Sequence, residues 1–296
     1  MGETTHGLIV KAMSGFYYVQ CPEGLIECRA RGVFRKRGQD LYVGDNASVE
    51  LTAGGKGYVV AVDERRNFLV RPPLANLDQL VLVSSTCEPV PNLLVIDRMI
   101  AVAERKGIEP LLVFTKKDMA DASPYARIYR HAGFAVAEVS NATGEGVDAV
   151  RAALTGRVSA FSGNSGVGKS SLLNRVDARL ALPTAEISQK LGRGRHTTRH
   201  VELFALPEGG YVADTPGFSS LDLERCEPIL KEDLAGCFRE FADYVDGCRF
   251  TGCSHTKEKG CAVLEALARG DIEPTRHESY VSMWNQVMDL KEWELK

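Results

Sequence analysis

The chain has 296 residues, 44% hydrophobic and 25% charged, with a formal net charge of −3. That balance excludes a disordered or fibrous polymer, and no apolar run reaches the ~20 residues of a membrane helix, so a cytoplasmic protein of two or three domains with no membrane partner is expected. The eight cysteines do not form the dense framework of a small secreted domain, and reduced thiols, some of them on a metal, are expected instead. The start Met1–His6 is polar and lacks a signal-peptide core, and His6 stands where a myristoylation pattern needs Ser or Thr.

Up to about Asn67 the pattern is all-β. Leu8–Val10, Gly15–Val19, Leu25–Arg29, Ala47–Leu51 and Tyr58–Val62 are short strands separated by Gly-rich turns such as Gly54-Gly55-Lys56-Gly57. Five such strands suit a small closed barrel of OB type. Arg29, Arg31, Arg35, Lys36 and Arg37 cluster around the middle strand and its loop. They predict contact with a nucleic-acid backbone, against the alternative of a solvated loop. The acidic total does not exclude this, because local patches matter more than net charge.

Arg71-Pro72-Pro73 breaks the pattern. Strands at Gln79–Val83, Pro110–Phe114 and Ala135–Val139 then alternate with helices, the first over Leu93–Lys106, which implies a parallel sheet covered by helices. Two of these strands end in informative residues. Thr115-Lys116-Lys117-Asp118 places a carboxylate where it can accept from guanine N1–H and the 2-amino group, while the Lys116 stem packs over the base. The alternative is a helix N-cap. Ser140-Asn141-Ala142 offers a backbone N–H for guanine O6.

Val158–Ser162 reads as a buried strand running into Gly163-Asn164-Ser165-Gly166-Val167-Gly168-Lys169-Ser170, which fits the phosphate-binding pattern G-x-x-x-x-G-K-[ST]. Glycines let backbone N–H groups wrap clustered phosphate oxygens. Lys169 adds a charge at the β/γ-phosphates and Ser170 a hydroxyl for Mg²⁺. Ser171–Val176 opens a helix whose N-terminus faces the anion. A basic, Gly-rich segment, Leu191–His200, contains His196, Thr197 and Thr198. A hairpin, Val201–Ala205 and Gly210–Ala213, runs into Asp214-Thr215-Pro216-Gly217, where Asp214 holds Mg²⁺ through water and the Gly217 N–H senses the γ-phosphate. Either Thr197 or Thr198 completes the Mg²⁺ shell. Phe218 stands where many GTPases carry a water-orienting Gln. His196 is the candidate for that task, with Arg193 or Arg195 as other sources of transition-state charge.

The order of these motifs is that of a circular permutation, with the base loops first and the phosphate loop, threonines and D-x-x-G after them. Near the end, Cys248-x₄-Cys253-x-His255-x₅-Cys261 gives three thiolates and an imidazole, a closed tetrahedral set for one structural Zn²⁺. Ala262–Leu267 is helical, and Tyr280, Met283, Trp284, Val287 and Met288 form a core-facing helical stripe.

Together these residues resemble the ribosome small-subunit-dependent GTPase A (RsgA) family over nearly the whole chain. The resemblance rests on Arg31-Gly32-Val33-Phe34-Arg35, the Val43-Gly44-Asp45 turn, the permuted motifs, Gly192–Thr198, Asp214–Phe218 and the Cys/His set. It implies an OB-fold barrel (1–68), a circularly permuted α/β GTPase core (69–222) and a helical zinc-binding domain (223–296). It also implies a monomeric GTPase acting late in 30S subunit assembly, stimulated by that subunit, with GTP or GDP and the 16S rRNA as partners. Two positions depart from the family motifs. Thr115 stands where Asn is usual, leaving one loop-bracing amide missing, and Asn141 stands where Ala is usual. An RNA-binding scaffold with little catalysis is the rival reading. A small-molecule kinase is disfavoured because two nucleic-acid modules flank the core.

Overall fold

The computed structural model describes residues 3–52, 54–182, 201–214 and 229–290, excluding the side chains of Arg35, Lys36, Arg37 and Asp214. The chain divides into two units, residues 1–79, 153–161 and 186–218 in one and 80–152, 162–185 and 219–296 in the other.

The barrel comprises β1 (Thr4–Met13), β2 (Phe16–Cys21), β3 (Gly24–Ala30), β4 (Asn46–Thr52) and β5 (Lys56–Val62), with a short helix α1 (Gly32–Arg37) after β3. Neighbours pair in the order β1-β2-β3-β5-β4, and β4 returns to β1, which closes the barrel. Only β3 and β5 are parallel, because β4 intervenes in sequence. Alternate residues point inward, as the period of two demands, giving a core of Ile9, Val19, Ile26, Cys28, Val49 and Val59. Phe34 is buried in that core and anchors the basic run as a helical turn, where sequence reading expected an open loop.

Arg71-Pro72-Pro73 lies between the paired strands β6 (Phe68–Leu69) and β7 (Leu74–Ala75). This hairpin is tied to the barrel by Ala75 N–H to Val43 O at 2.9 Å and Asn76 Nδ2 to Gly44 O at 2.9 Å. Gly44 has φ +93°, and a Cβ there would lie 2.0 Å from Ala75 O, so the Val43-Gly44-Asp45 turn admits only glycine at its centre. Asp45 is buried and receives Arg65 in bidentate fashion, at 2.7 and 2.9 Å.

Strand–helix alternation follows: β8 (Gln79–Ser85), α2 (Leu93–Arg105), β9 (Glu109–Thr115), α3 (Ser123–His131), β10 (Ala135–Glu138) and α4 (Val147–Leu154). Strands β10-β9-β8 lie side by side, and β9 and β10 are parallel. Leu80–Val83 and Leu111–Phe114 are buried throughout, as in a sheet covered on both faces. Next come β11 (Val158–Ser162), α5 (Lys169–Val176), β12 (Glu202–Ala205) and β13 (Tyr211–Asp214). β11 runs parallel to β13, β12 antiparallel to it. β12 also joins the barrel strand β1, with Lys11 opposite Glu202 and their side chains paired at 2.8 Å.

The C-terminal region contains α6 (Lys231–Leu234), α7 (Ala262–Arg269), α8 (Pro274–Val287) and several 3-10 turns. Phe238, Phe241 and Tyr280 pack with ring centroids 4.9–5.3 Å apart. Of the expected stripe, Tyr280 and Met283 are buried, whereas Met288 lies past the end of α8 and is exposed. Arg276 on α8 is fully buried, bonded to Asp97 Oδ1 of α2 at 2.7 Å and to Glu240 at 2.7 and 3.1 Å. Burial of so many charges is tolerable only because they are paired.

Candidate nucleotide site and metal centre

β11 ends at Ser162, and the glycine-rich loop leads into α5 at Lys169, two residues earlier than the sequence pattern suggests. Lys169, Ser170 and Ser171 therefore form the first turn, where N–H groups have no partner within the helix and the macrodipole favours an anion. Gly168 precedes the helix at φ +88°. A Cβ there would meet the Asn141 amide nitrogen at 2.7 Å.

That contact shows how the remote loops come together. Thr115 is buried at the end of β9, and its hydroxyl donates to Val167 O at 2.5 Å, with Ser84 O at 3.3 Å. Asn141 Nδ2 donates to Gly168 O at 3.0 Å. Arg175, in the last turn of α5, donates to Asn141 O and Ala142 O at 3.0 Å each. Both expected base loops are thus fastened to the phosphate loop or its helix. Sequence reading missed all three fastenings, and it took the bracing amide to be absent where residue 141 supplies one. An arginine near a helix C-terminus carries no signal of the carbonyls it will find.

Lys116 adopts φ +61° and donates to the Cys87 and Glu88 carbonyls, while Thr86 Oγ1 donates to Lys116 O at 3.0 Å. Lys117 pairs with Glu145 at 2.6 Å, which raises its pKa through that hydrogen bond. Asp118 is exposed. It does not cap the next helix, which begins at Ser123 and has Asp121 Oδ1 accepting from Ser123 N at 2.9 Å. Ser140 is buried, and its Oγ accepts from Thr143 N at 3.1 Å, which shapes the second expected base loop.

His196, Thr197, Thr198 and Gly217 lie outside the described residues, and Asp214 ends β13 with its side chain likewise outside. In the barrel, the Arg29 guanidinium sits 4.7 Å over the Phe16 ring, and Arg31 forms an ion pair with Glu50. The side chains of Arg35, Lys36 and Arg37 are outside the description.

The Cys/His set converges. The ligand atoms of Cys248, Cys253, His255 and Cys261 all lie within 4.8 Å of one another. His255 Nδ1 is 3.5 Å from the sulfurs of both Cys248 and Cys261, which are 3.8 Å apart. A tetrahedral ion with ordinary zinc bond lengths requires edges of about 3.5–3.6 Å (S to N) and about 3.8 Å (S to S), so these side chains can hold a metal ion. The support is equally specific. His277 Nε2 donates to His255 O at 2.8 Å and Tyr280 OH to Ser254 O at 2.9 Å. Glu258 accepts from the N–H groups of Ser254, Thr256 and Lys257 at 3.0–3.1 Å. Partial burial would raise this carboxyl, but the hydrogen bonds from Ser254 and the loop backbone outweigh it and hold the pKa at about 2. Burial pushes the Cys253 thiol up to about 12. A bound cation reverses that logic, because the thiolate is the ligand.

A phosphate loop between strand and helix, base loops that precede it in sequence, an OB barrel before the core and a metal-binding Cys/His set after it define a circularly permuted GTPase. The RsgA GTPase family profile matches residues 62–224 and the RsgA N-terminal domain profile residues 6–59. The chain is 43% identical to the small ribosomal subunit biogenesis GTPase RsgA of Caldanaerobacter subterraneus, covering 99% of each, and 47% identical to that of Halalkalibacterium halodurans, covering 95% of this chain and 96% of the relative. It is similar to the crystal structure of YjeQ from Thermotoga maritima, with a TM-score of 0.83 and 32% identity over 98% of this chain and all of the other. It is also similar to that of YloQ, a circularly permuted GTPase, with a TM-score of 0.82 and 34% identity over 98% of this chain and 96% of the other. The chain belongs to the RsgA family and is a GTP-hydrolysing enzyme.

Proposed function

We propose that this chain is the GTP hydrolase of small ribosomal subunit biogenesis, acting late in 30S assembly with turnover stimulated by the subunit. The observation that carries the reading is full-length similarity to GTPases so named. The fastening of residues 115 and 141 to the phosphate loop adds to it. Asp118 selects guanine by accepting two hydrogen bonds, Lys116 lines the base, and Ser140 and Asn141 shape the loop that faces O6. Residues 163–171 wrap the phosphates. Ser170 and Thr197 or Thr198, with Asp214 through water, would hold Mg²⁺, which would neutralise phosphate charge there. Gly217 senses the γ-phosphate. Zn²⁺ is the ion for the Cys/His set, because three thiolates with an imidazole at tetrahedral spacing suit it. Arg29, Arg31, Arg35, Lys36 and Arg37 contact the 16S rRNA backbone. The functional divisions are residues 1–68, 69–222 and 223–296, in a cytoplasmic monomer.

Phe218 has no group to orient water, so the isolated protein hydrolyses GTP slowly. The neutral imidazole of His196 accepts a hydrogen bond from the attacking water once the subunit is bound. GTP turnover measured with and without saturating small subunits tests the reading. Strong stimulation supports it, whereas an unchanged rate favours a nucleotide-dependent scaffold. His196→Ala is expected to lose stimulated turnover by at least about a hundredfold and to keep its nucleotide affinity, within the range for positioned acid–base groups. Wild-type stimulated turnover in this variant would shift the role to Arg193, Arg195 or the ribosome.

A further inference from the structure

A structural zinc site needs no access route, because its four protein ligands leave no open position. The Cys/His set nevertheless borders a groove of about 540 Å³ whose lining includes Cys248, Cys253 and His255, three of the four metal-binding residues. Cys248 and Cys253 are only half-buried. The remaining walls are aromatic and charged. Phe250 stands at the rim, 51% exposed, with the Arg249 guanidinium 5.4 Å from its ring centre. Tyr280 and Trp284 come from α8, and Lys231 from α6. A concave surface of rings with a few charged groups has the composition of a binding site, and here it lies against thiolates.

The chain itself supplies an occupant. α8 ends against this groove, where Met288 N–H donates to Trp284 O at 2.8 Å and Lys231 Nζ donates to Met288 O at 3.2 Å. Leu290 N–H then turns back to Val287 O at 3.0 Å. The described chain therefore ends beside two of the lining side chains. Lys291-Glu292-Trp293-Glu294-Leu295-Lys296 follow, and six extended residues reach about 20 Å, enough to cross the groove. Successive side chains of an extended segment point to opposite sides, so Trp293 and Leu295 share one side and Glu292 and Glu294 the other. The groove offers rings to the first side and Lys231 and Arg249 to the second. Its acidic groups, Glu232 and Asp246, suit Lys291 and Lys296. We propose that residues 291–296 fold back along this groove, with Trp293 seated among Phe250, Tyr280 and Trp284, and shield the metal-binding thiolates from competing ligands.

The shielding rests on the reading of the Cys/His set as a zinc centre, and the experiment keeps the two apart. The chain has two tryptophans, so in full-length Trp284→Phe all tryptophan fluorescence comes from Trp293. Docked, its emission lies to the blue of free tryptophan and resists iodide quenching. Adding Phe250→Glu sets a carboxylate beside Glu292 and Glu294 and should move both readings to those of free tryptophan. Zinc release from the otherwise wild-type chain is followed with the chromogenic chelator pyridylazoresorcinol. Trp293→Ala and Phe250→Glu should each speed it about tenfold, as a docked-to-free ratio of about ten dictates, with zinc stoichiometry and GDP affinity as controls for folding. Emission and quenching equal to those of free tryptophan in Trp284→Phe overturn the docking and assign the groove to another molecule. Should that substitution disturb the groove, the difference between wild type and Trp293→Phe reports on Trp293 with Trp284 in place. An unchanged rate of zinc release overturns the shielding. A chain that carries no zinc removes the metal reading, and the fluorescence still decides the docking.

Discussion

The candidate metal centre and the candidate nucleotide site are built on opposite plans. Cys248, Cys253, His255 and Cys261 come from one short stretch, and Ser254, Thr256 and Lys257 supply the N–H groups that Glu258 gathers within the same loop. Residues 115–118, 140–142 and 163–170 are far apart in sequence, and no local rule brings them together. Their mutual placement rests on the pairing of β9 with β10 and on three side chains, Thr115, Asn141 and Arg175. One ion can organise a local site, whereas a dispersed site needs fixed braces before its ligand arrives.

The comparison can be broken most severely by removing the ion. Cys261→Ala should abolish stoichiometric zinc binding and loosen residues 229–290, since structural zinc supplies ~10–16 kcal/mol of apparent binding energy in small modules. GDP affinity should stay within about threefold of wild type if the centres are independent. Elemental analysis and a GDP titration on one sample decide it, and retained zinc or lost GDP binding would contradict this contrast.

A smaller effect is expected where the metal-bearing region meets the GTPase core. Arg276→Met leaves Asp97 and Glu240 buried without their cation and should cost about 3–5 kcal/mol. A thermal melt should fall by several degrees, and Asp97→Asn on the same background should recover part of the loss. An unchanged melt would mean that the carboxylates find water or neutralise at little cost.

The mildest change sharpens the account of the dispersed site. Arg175→Ala removes two exposed bonds to Asn141 O and Ala142 O and should weaken GDP binding by about 1 kcal/mol, roughly fivefold. Zinc content should not move. An effect as large as that of Asn141→Ala would make the arginine, rather than the amide, the principal brace.

This contrast also explains what could be read in advance. The Cys/His spacing and the phosphate-loop pattern are local and legible in the sequence, strand–helix alternation marks the parallel sheet, and the order of the motifs marks the permutation. Alternation of apolar residues likewise revealed the barrel strands, though Thr4–Met13 runs well beyond the three residues, Leu8–Val10, that the pattern marked, because its ends pair with different partners. What stayed hidden was long-range. Nothing in Thr115 announces a bond to Val167, 52 positions away, and nothing in Asn141 announces that its amide donates to Gly168 O. The ion pair of Arg31 with Glu50 on β4 is likewise invisible in the sequence.

Strand β1 gives these loops a schedule. Its first half pairs with β4, its second with β2, and Lys11 also meets Glu202 on β12. As the chain leaves the ribosome, every barrel strand is present once Val62 has been made. The strand that extends β1 outward follows roughly 140 residues later, on the order of 7–28 s at ordinary synthesis rates. During that interval the barrel's outer edge at β1 is an open ladder, while the base loops at 115 and 140 emerge before the phosphate loop that they grip. The permuted order thus makes nucleotide binding a late event in the birth of the chain. A ribosome-bound nascent chain stalled before residue 163 should hold no GTP, however complete its barrel.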